Sequence, residues 1–265
     1  MYEFDYRQPQ SLAEAAELIA KVDDGKLIAG GQSLIPVLKQ RLARYATLVD
    51  LTAIRDLSSI EKTADGIAIG ALATHEAVAK SKVVGDAIPA LAALAGMIGD
   101  QQVRNRGTLG GAIANADPAA DYPAALVSLG ATVHTNRRAI PADTFFTGMF
   151  ETALDPAEIV TRVVFPVPER AAYEKFPNPA SRYAIVGVFV SKGKAGVRLA
   201  VTGAAPSVFR VAAMEKALGA RFAADAIASV AVPADHLNND IHASAAYRAH
   251  LVGVIARRAV AKAAA

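Results

Sequence analysis

Cysteine is absent from this sequence of 265 residues. By itself the chain can therefore form no disulfide, cysteine-ligated zinc site, cysteine-ligated iron–sulfur cluster or thiol nucleophile. Ser33 does not lie in a G-x-S-x-G motif, and no other set of acids and bases suggests a catalytic group. No metal site is predicted either, because no ligand spacing such as H-x-x-x-H connects the five histidines, His75, His134, His236, His242 and His250.

Tryptophan is absent too, and aromatic residues make up only 6% of the chain. The net charge of +3 is small, and acidic and basic residues are mixed along the sequence. A nucleic-acid-binding protein more often has a concentrated basic stripe with aromatic residues among it. No nucleic-acid partner is therefore predicted.

Long apolar runs are also missing. The longest, Ile88 to Gly99, contains Pro89 and is shorter than the roughly 20 residues that cross a bilayer. The first residues, Met1 to Asp5, have neither the basic nor the apolar segment of a signal peptide. We therefore expect a cytoplasmic protein without a membrane span.

Two glycine pairs are the most informative features that are present. The first lies in Ala29–Ser33 (AGGQS) and the second in Thr108–Gly111 (TLGG). Glycine lets the backbone approach an anion more closely than a residue with a Cβ allows. Neither loop matches the G-x-G-x-x-G or G-x-x-x-x-G-K-[ST] fingerprints. Taken alone, the first loop is more simply explained as a tight β-to-α turn with Ser33 as an N-cap, but two such loops together suggest a ligand with two phosphates.

The apolar spacing and the helix caps predict an α+β fold in three parts. In the first part, Ser11 and Glu14 form a capping box, and Ser33 caps a second helix between two short strands. In the second part, Ala64-Asp65-Gly66 is a hairpin signal, and Thr74 caps a helix that starts at His75. Pro166-Val167-Pro168 is the best linker to a third part of apolar strands and two helices. The predicted parts are residues 1–53, 54–168 and 169–265.

The segment around the second glycine pair contains two acids of interest. Residues 99–111 are expected to form a polar loop, after which Asp117 and Pro118 restart a helix as its N-cap and first residue. Asp121 follows one turn later. Its carboxylate is suited to accept hydrogen bonds from ribose hydroxyls, as acids do in other dinucleotide sites, or it is simply a favourable charge at a helix start.

Several stretches together resemble a known family. They are residues 29–33, 98–121, 173–176 (YEKF), 179–184 (PASRYA) and 243–251 (ASAAYRAHL). The chain is similar, over nearly its whole length, to the FAD-binding medium subunit of the molybdenum hydroxylases, the group of carbon monoxide dehydrogenase and xanthine dehydrogenase. The resemblance implies a two-part, PCMH/VAO-like FAD-binding region, followed by a small α+β domain with an antiparallel sheet and helices.

The resemblance also implies roles for individual residues. One wall of the pyrophosphate site would be Ala29, Gly30, Gly31, Gln32, Ser33 and Leu34, and the opposite wall Thr108, Gly110 and Gly111. Asp121 would accept from sugar hydroxyls, Ile98 would lie against the isoalloxazine, and Ile159 would hold the pyrimidine side. Lys175 would approach the polar edge of the ring, and Tyr183 would shield its face. The FAD would be noncovalent.

Two positions depart from the family pattern. The first motif commonly has His where this chain has Gln32, and the second often has Asn where this chain has Ala112. The Gln32 amide can still donate a hydrogen bond, whereas Ala112 removes one polar contact. These departures keep open the interpretation of a nucleotide-binding module that has lost its flavin.

The function implied by the resemblance is electron transfer within a larger enzyme. The chain would carry FAD, while molybdopterin and two [2Fe–2S] clusters would lie on a large and a small partner subunit, in a dimer of heterotrimers. The absence of cysteine agrees with clusters that lie elsewhere. A self-contained FAD oxidoreductase is the alternative enzyme. The substrate and the final electron acceptor cannot be read from this chain.

Overall fold

A computed structural model describes all 265 residues. The first part is a small parallel sheet with strand order β1-β3-β2 and two helices. The first glycine loop connects β2 to the helix that follows it. The elements are β1 (Asp5–Arg7), α1 (Leu12–Lys21), β2 (Gly25–Ile28), α2 (Leu34–Lys39) and β3 (Thr47–Asp50).

The next stretch of chain forms a five-stranded antiparallel sheet with helices packed against it. The strand order is β4-β5-β10-β6-β7, and β8 pairs with β9 in a separate hairpin. Its strands are β4 (Ile60–Thr63), β5 (Gly66–Gly70), β6 (Thr132–Thr135), β7 (Ala139–Pro141), β8 (Phe146–Gly148), β9 (Glu151–Thr152) and β10 (Val160–Phe165). Its helices are α3 (His75–Lys80), α4 (Lys82–Ala87), α5 (Pro89–Gly96), α6 (Gln101–Arg104), α7 (Leu109–Asn115), α8 (Tyr122–Leu129) and α9 (Ala142–Phe145).

The last third of the chain is a four-stranded antiparallel sheet in sequential order, covered by helices. The long terminal helix lies on the first two strands of this sheet. The elements are β11 (Arg170–Pro177), β12 (Ala184–Gly193), β13 (Gly196–Thr202), β14 (Phe209–Arg210), α10 (Ala212–Ala220) and α11 (Ala245–Ala264). The predicted α+β class, with an antiparallel sheet and helices at the C-terminal end, is confirmed.

The largest apolar core connects the two antiparallel sheets. It contains strand and helix residues of the middle stretch together with Tyr173, Phe189 and Ala200 from the last sheet. A second core lies between the last sheet and α11. None of the helices combines the length and the apolar character that a membrane crossing requires. The boundaries at residues 53 and 168 stay predictions.

Three local predictions are wrong. Residues 99–111 are not one loop, because α6 lies within them and α7 begins at Leu109. The next helix starts at Tyr122 rather than at Pro118, and Asp117 instead closes a turn by accepting from the Ala119 N–H at 2.8 Å. Ser33 stands at the N-cap position of α2 but makes no capping hydrogen bond. In contrast, Ser11 accepts from the Glu14 N–H, as the capping box predicts.

Candidate binding site

The first glycine loop is rich in unused hydrogen-bond donors. The backbone N–H groups of its five residues, Ala29 to Ser33, donate no hydrogen bond within the chain. Leu34, the first residue of α2, has no helical acceptor either, as is usual in a first turn. Gly31 has a φ of +70°, a conformation that glycine adopts without strain. Consecutive N–H groups of this kind are suited to bind an anion.

The two glycine loops touch each other. A Cβ added to Gly30 would lie 2.0 Å from the Arg106 carbonyl oxygen, so only glycine permits this approach. The loops border a cavity of about 180 Å³. It is lined by Gly30, Thr52, Ser58, Leu72, Thr74, Asn105, Arg106 and Thr108.

The second glycine loop uses most of its N–H groups inside the chain. Leu109 donates to the Ala73 carbonyl at 3.0 Å, Gly110 to the Ala71 carbonyl at 2.8 Å, and Gly111 to the Thr108 hydroxyl at 3.1 Å. A Cβ on Gly110 would lie 2.6 Å from that of Ala71, so this glycine permits close packing. The free donors of this wall are therefore the N–H and the hydroxyl hydrogen of Thr108.

A second threonine stands beside Thr108. Thr74 forms an antiparallel bridge with Thr108, and both cap the helices that begin directly after them. Each hydroxyl oxygen accepts from its own helix, from Ala77 at 3.1 Å in the case of Thr74, which leaves the hydroxyl hydrogen free to donate. The cavity wall thus presents two hydroxyl donors.

His75, the first residue of α3, lies behind the second loop. It is buried and packs on the ring of Tyr122 with a centroid distance of 5.5 Å. Burial, and then the charge of Arg104, lower the pKa of His75 to about 4. The imidazole is therefore neutral near pH 7 and supports the loop by packing.

A buried ion pair forms a second group of predicted residues. Lys175 Nζ lies 3.0 and 3.1 Å from the two carboxylate oxygens of Asp121, and 3.0 Å from the Met97 carbonyl. Tyr173 donates its hydroxyl to Asp121 Oδ1. Burial raises the pKa of Asp121, while Lys175 and Tyr173 oppose this by stabilising the carboxylate. Oδ2 accepts only from Lys175 and can take a further donor.

Two more predicted residues lie close to this ion pair. Ile98 directly follows Met97 and is half-buried against the large core. Tyr183 is 46% exposed, and burial of its hydroxyl, followed by the charges of Asp117 and Asp121, raises its pKa. Ile98 and Tyr183 are thus the more accessible residues beside a nearly fully buried ion pair.

Ile159 is placed apart from both groups. It is buried in a small core with Leu51, Ile54, Leu57 and Leu72. Its N–H donates to the Asn136 side chain at 2.9 Å. Leu72, a member of the same small core, also lines the cavity.

The helix α7 connects the two groups. Thr108, at its start, belongs to the cavity, and the turn after its end leads through Asp117 to Asp121. A helix of seven residues is roughly 10 Å long. The site is therefore suited to an elongated ligand with an anionic part at the cavity and another part at the ion pair.

Three contributing residues escaped the sequence analysis. Thr74 was recognised only as a helix cap, and Arg106 only as a loop residue. Tyr173 reaches Asp121 because Gly187 leaves space: a Cβ there would lie 2.3 Å from the Tyr173 hydroxyl. These are contacts between distant segments, and no local pattern signals them.

A larger cavity of about 320 Å³ lies elsewhere, between the second and third sheets. Two of its three charged lining residues, Arg198 and Asp143, are bound to each other, and Arg198 also donates to the Val127 carbonyl. It contains none of the predicted site residues, and we do not assign the ligand to it.

The geometry describes an α+β protein with a site suited to an elongated anionic molecule, and comparisons with known proteins identify its family. Residues 2–168 match the family described as the FAD binding domain in molybdopterin dehydrogenase. The chain is 35% identical to the nicotine 6-hydroxylase medium subunit of Paenarthrobacter nicotinovorans, over 97% of this chain and 96% of that one. It is 34% identical to the carbon monoxide dehydrogenase medium chain of Hydrogenophaga pseudoflava, again over 97% and 96%.

Solved structures agree. Carbon monoxide dehydrogenase from Hydrogenophaga pseudoflava superposes with a TM-score of 0.89 at 32% identity, over 99% of this chain and 97% of that one. Quinoline 2-oxidoreductase from Pseudomonas putida 86 gives a TM-score of 0.92 at 31% identity, over 99% and 97%. The chain belongs to the family of FAD-binding medium subunits of molybdenum hydroxylases. The predicted family, the oxidoreductase class and the assignment of FAD to this chain are confirmed.

Proposed function

We propose that this chain is the FAD-carrying electron-transfer subunit of a multi-subunit molybdenum hydroxylase. In this proposal it passes electrons from the [2Fe–2S] clusters of a small partner to an external acceptor, while the substrate is oxidised on a large molybdopterin partner. The observation that carries the proposal is the row of five unbonded N–H groups from Ala29 to Ser33, in a loop whose Gly30 lines the cavity. FAD supplies the redox chemistry when it is bound, and the protein supplies binding, orientation and electrostatics.

The first glycine loop would provide most hydrogen bonds to the pyrophosphate. Its donors are the N–H groups of Ala29, Gly30, Gly31, Gln32, Ser33 and Leu34, and the exposed Gln32 amide and Ser33 hydroxyl add to them. Gln32 would thus take over the donor role that His has in the common motif.

The second loop would act mainly through its shape. Gly110 allows α7 to pack tightly, and a Cβ on Gly111 would lie 2.9 Å from the Thr108 hydroxyl oxygen. Thr108 would donate to the phosphates. Since the Gly110 and Gly111 N–H groups already have acceptors, we do not assign them to the ligand.

The ion pair would hold the flavin end. Asp121 Oδ2 would accept from a sugar hydroxyl, and Lys175 would fix Asp121 and approach the polar edge of the ring system. Ile98 and Tyr183 would contact its faces. Ile159 would support the pyrimidine side from behind Leu72. No cysteine is available for attachment, which supports noncovalent FAD.

The assembly and its location are part of the proposal. We infer a dimer of heterotrimers in the cytoplasm, with the large and small partners described above. Relatives named as medium chains or subunits support a multi-subunit enzyme. The proposal divides the chain into two FAD-binding subdomains (1–53 and 54–168) and a C-terminal domain (169–265). The end of the family match at residue 168 supports the second boundary, and the boundary at residue 53 rests on the sequence alone.

Purification of the chain together with its co-purifying proteins tests this function. We expect a flavin absorption spectrum, flavin that is released on denaturation, and a large and a small partner in stoichiometric amounts. Failure to bind FAD tightly, even after reconstitution, would favour a nucleotide-binding module that has lost its flavin. Turnover of an organic donor by the isolated chain would favour a self-contained oxidoreductase.

A further inference from the structure

Arg106 is the only charged residue among those that line the cavity between the glycine loops. Its carbonyl oxygen is in contact with Gly30, which places the residue directly opposite the first glycine loop. The residue is exposed and forms neither an ion pair nor a side-chain hydrogen bond. An arginine whose side chain has no hydrogen-bond or ion-pair partner within the chain therefore lines a cavity suited to anions.

The side chain of the neighbouring Arg104, unlike that of Arg106, is bound within the fold. It binds the Glu76 carboxylate at 2.9 Å and the Ile98 carbonyl at 3.2 Å, and its side chain is only 18% exposed. Arg104 thus ties α3 to α6, and its charge is neutralised. Arg106 has no comparable role in the fold.

The unequal donors of the two walls give Arg106 a function. The first glycine loop has five unbonded N–H groups. In the second glycine loop, all N–H groups except that of Thr108 donate to acceptors within the chain. A pyrophosphate carries two negative charges, and the neutral donors around the cavity leave its charge uncompensated. A guanidinium binds phosphate oxygens in a bidentate manner and supplies that charge.

We propose that Arg106 is the cationic phosphate-binding residue of the site, contacting the FAD pyrophosphate from the side opposite the first glycine loop. The inference rests on the proposed function, because it takes the pyrophosphate to lie in this cavity. It assigns the electrostatic part of binding to one side chain and the hydrogen-bonding part to the opposite loop.

Titrations of the full-length, flavin-freed chain test this role. FAD, ADP and riboflavin are titrated at low and high salt with the parent chain and with R106A, R106Q and R106K. Charged hydrogen bonds contribute about 1.5–3 kcal/mol, so FAD and ADP should each bind on the order of ten- to a hundredfold more weakly to R106A and R106Q. Riboflavin, which lacks phosphate, should be unaffected. R106K should restore part of the affinity, because it keeps the charge but not the bidentate geometry.

The salt dependence separates a direct contact from a change in the fold. Loss of a cation at the phosphates should make FAD affinity less sensitive to salt, which a packing defect would not do. R258A removes an exposed arginine of α11 and should match the parent chain. Thermal unfolding of each variant verifies that it is folded.

The outcomes are distinct. If the parent chain binds neither FAD nor ADP, the proposed function itself fails. If the parent binds both and folded R106A and R106Q bind them equally well, with the same salt dependence, Arg106 is not a phosphate ligand. Weaker FAD binding with unchanged ADP binding would also overturn the inference, since it would place Arg106 away from the pyrophosphate.

Discussion

At the scale of single residues, Gly30 decides whether the two glycine loops can meet. Its missing side chain is the space that the Arg106 carbonyl occupies. Gly31 has a different role, since its positive φ sets the turn itself. The pair thus combines a close approach with a special backbone conformation.

Gly30→Ala should separate the loops. The added Cβ would lie 2.0 Å from a backbone oxygen that no rotamer change can move. Overpacking of this kind costs about 1–3 kcal/mol, and we expect a similar loss in the free energy of FAD binding, roughly tenfold or more in Kd. FAD titration and urea unfolding measure the two effects.

Gly85→Ala is the matched control. Gly85 lies inside α4, and an added Cβ meets no atom within 4 Å. The substitution should leave the Kd for FAD unchanged and stabilise the fold by about 0.5–1 kcal/mol. Equal FAD affinity in the Gly30 and Gly85 variants would contradict the predicted role of Gly30.

The sequence predicted the composition of the site better than its bonding. Both glycine loops stood out as the two Gly-Gly pairs of the chain, Asp121 stood out as an acid one turn after Asp117, and Lys175 was found through family resemblance. The Asp121–Lys175 bond was not expected, since it joins residues 54 positions apart. The internal use of the Gly110 and Gly111 N–H groups depends on Ala71 and on the Thr108 rotamer, which no local pattern encodes.

At the scale of elements, the start of α3 connects the second glycine loop to α8. The His75 N–H donates to the Gly107 carbonyl at 2.9 Å, and its ring packs on Tyr122 at the start of α8. The His75 Nδ1 and the Tyr122 hydroxyl have no hydrogen-bond partner within the chain. Burial at this position favours the uncharged imidazole.

The stability of the fold should therefore fall in mild acid. The folded-state pKa of His75, about 4, lies below its ordinary value of 6.5, so the unfolded chain binds more protons between these pH values. Above pH 6.5 His75 is neutral in both the folded and the unfolded chain and does not lower the free energy of unfolding. As the pH falls towards 4, protonation of His75 in the unfolded chain lowers this free energy progressively. Urea unfolding at several pH values measures it.

His75→Phe keeps a ring against Tyr122 and removes the titrating group. The variant should lose less stability than the parent chain between pH 6.5 and 4. Its unfolding free energy should change less steeply with pH, and the difference in slope should be at most that of one bound proton. Identical pH slopes for the two proteins would show that His75 is not kept neutral by the fold.

Helix starts show where sequence reasoning reaches its limit. Ser11, Thr74 and Thr108 are caps with a side-chain hydrogen bond. Asp117-Pro118 has the sequence of a helix start, yet the chain there forms a turn whose carbonyls bind the third sheet: Pro118 accepts from the Gly203 N–H at 2.7 Å. Tertiary hydrogen bonds displaced the local preference.

At the scale of the whole molecule, the Asp121–Lys175 pair joins three distant parts of the chain. Lys175 belongs to β11, Asp121 directly precedes α8, and Met97 directly follows α5. Both side chains of the ion pair are at least 95% buried. The C-terminal sheet thereby contributes directly to the flavin end of the proposed site.

Asp121→Asn should destabilise the folded chain strongly. It leaves the Lys175 ammonium buried without its counter-charge, and breaking a buried pair in this way costs about 3–5 kcal/mol. Asp225→Asn, which breaks the exposed pair with Arg221, is the control and should leave the denaturation midpoint nearly unchanged. Equal midpoints for both variants would mean that the buried pair does not stabilise the fold.

The unbonded amides of the first glycine loop also affect the rate of hydrogen exchange. An amide proton without an acceptor exchanges with solvent water far faster than one in a helix or strand. Five adjacent positions, Ala29 to Ser33, should therefore take up deuterium within the earliest labelling times, and should do so much more slowly once an anion accepts from them. One short peptide that contains Ala29 to Ser33 would then report whether an anion is bound at the first glycine loop. This would work inside an intact assembly, where the absorption spectra of several redox groups overlap.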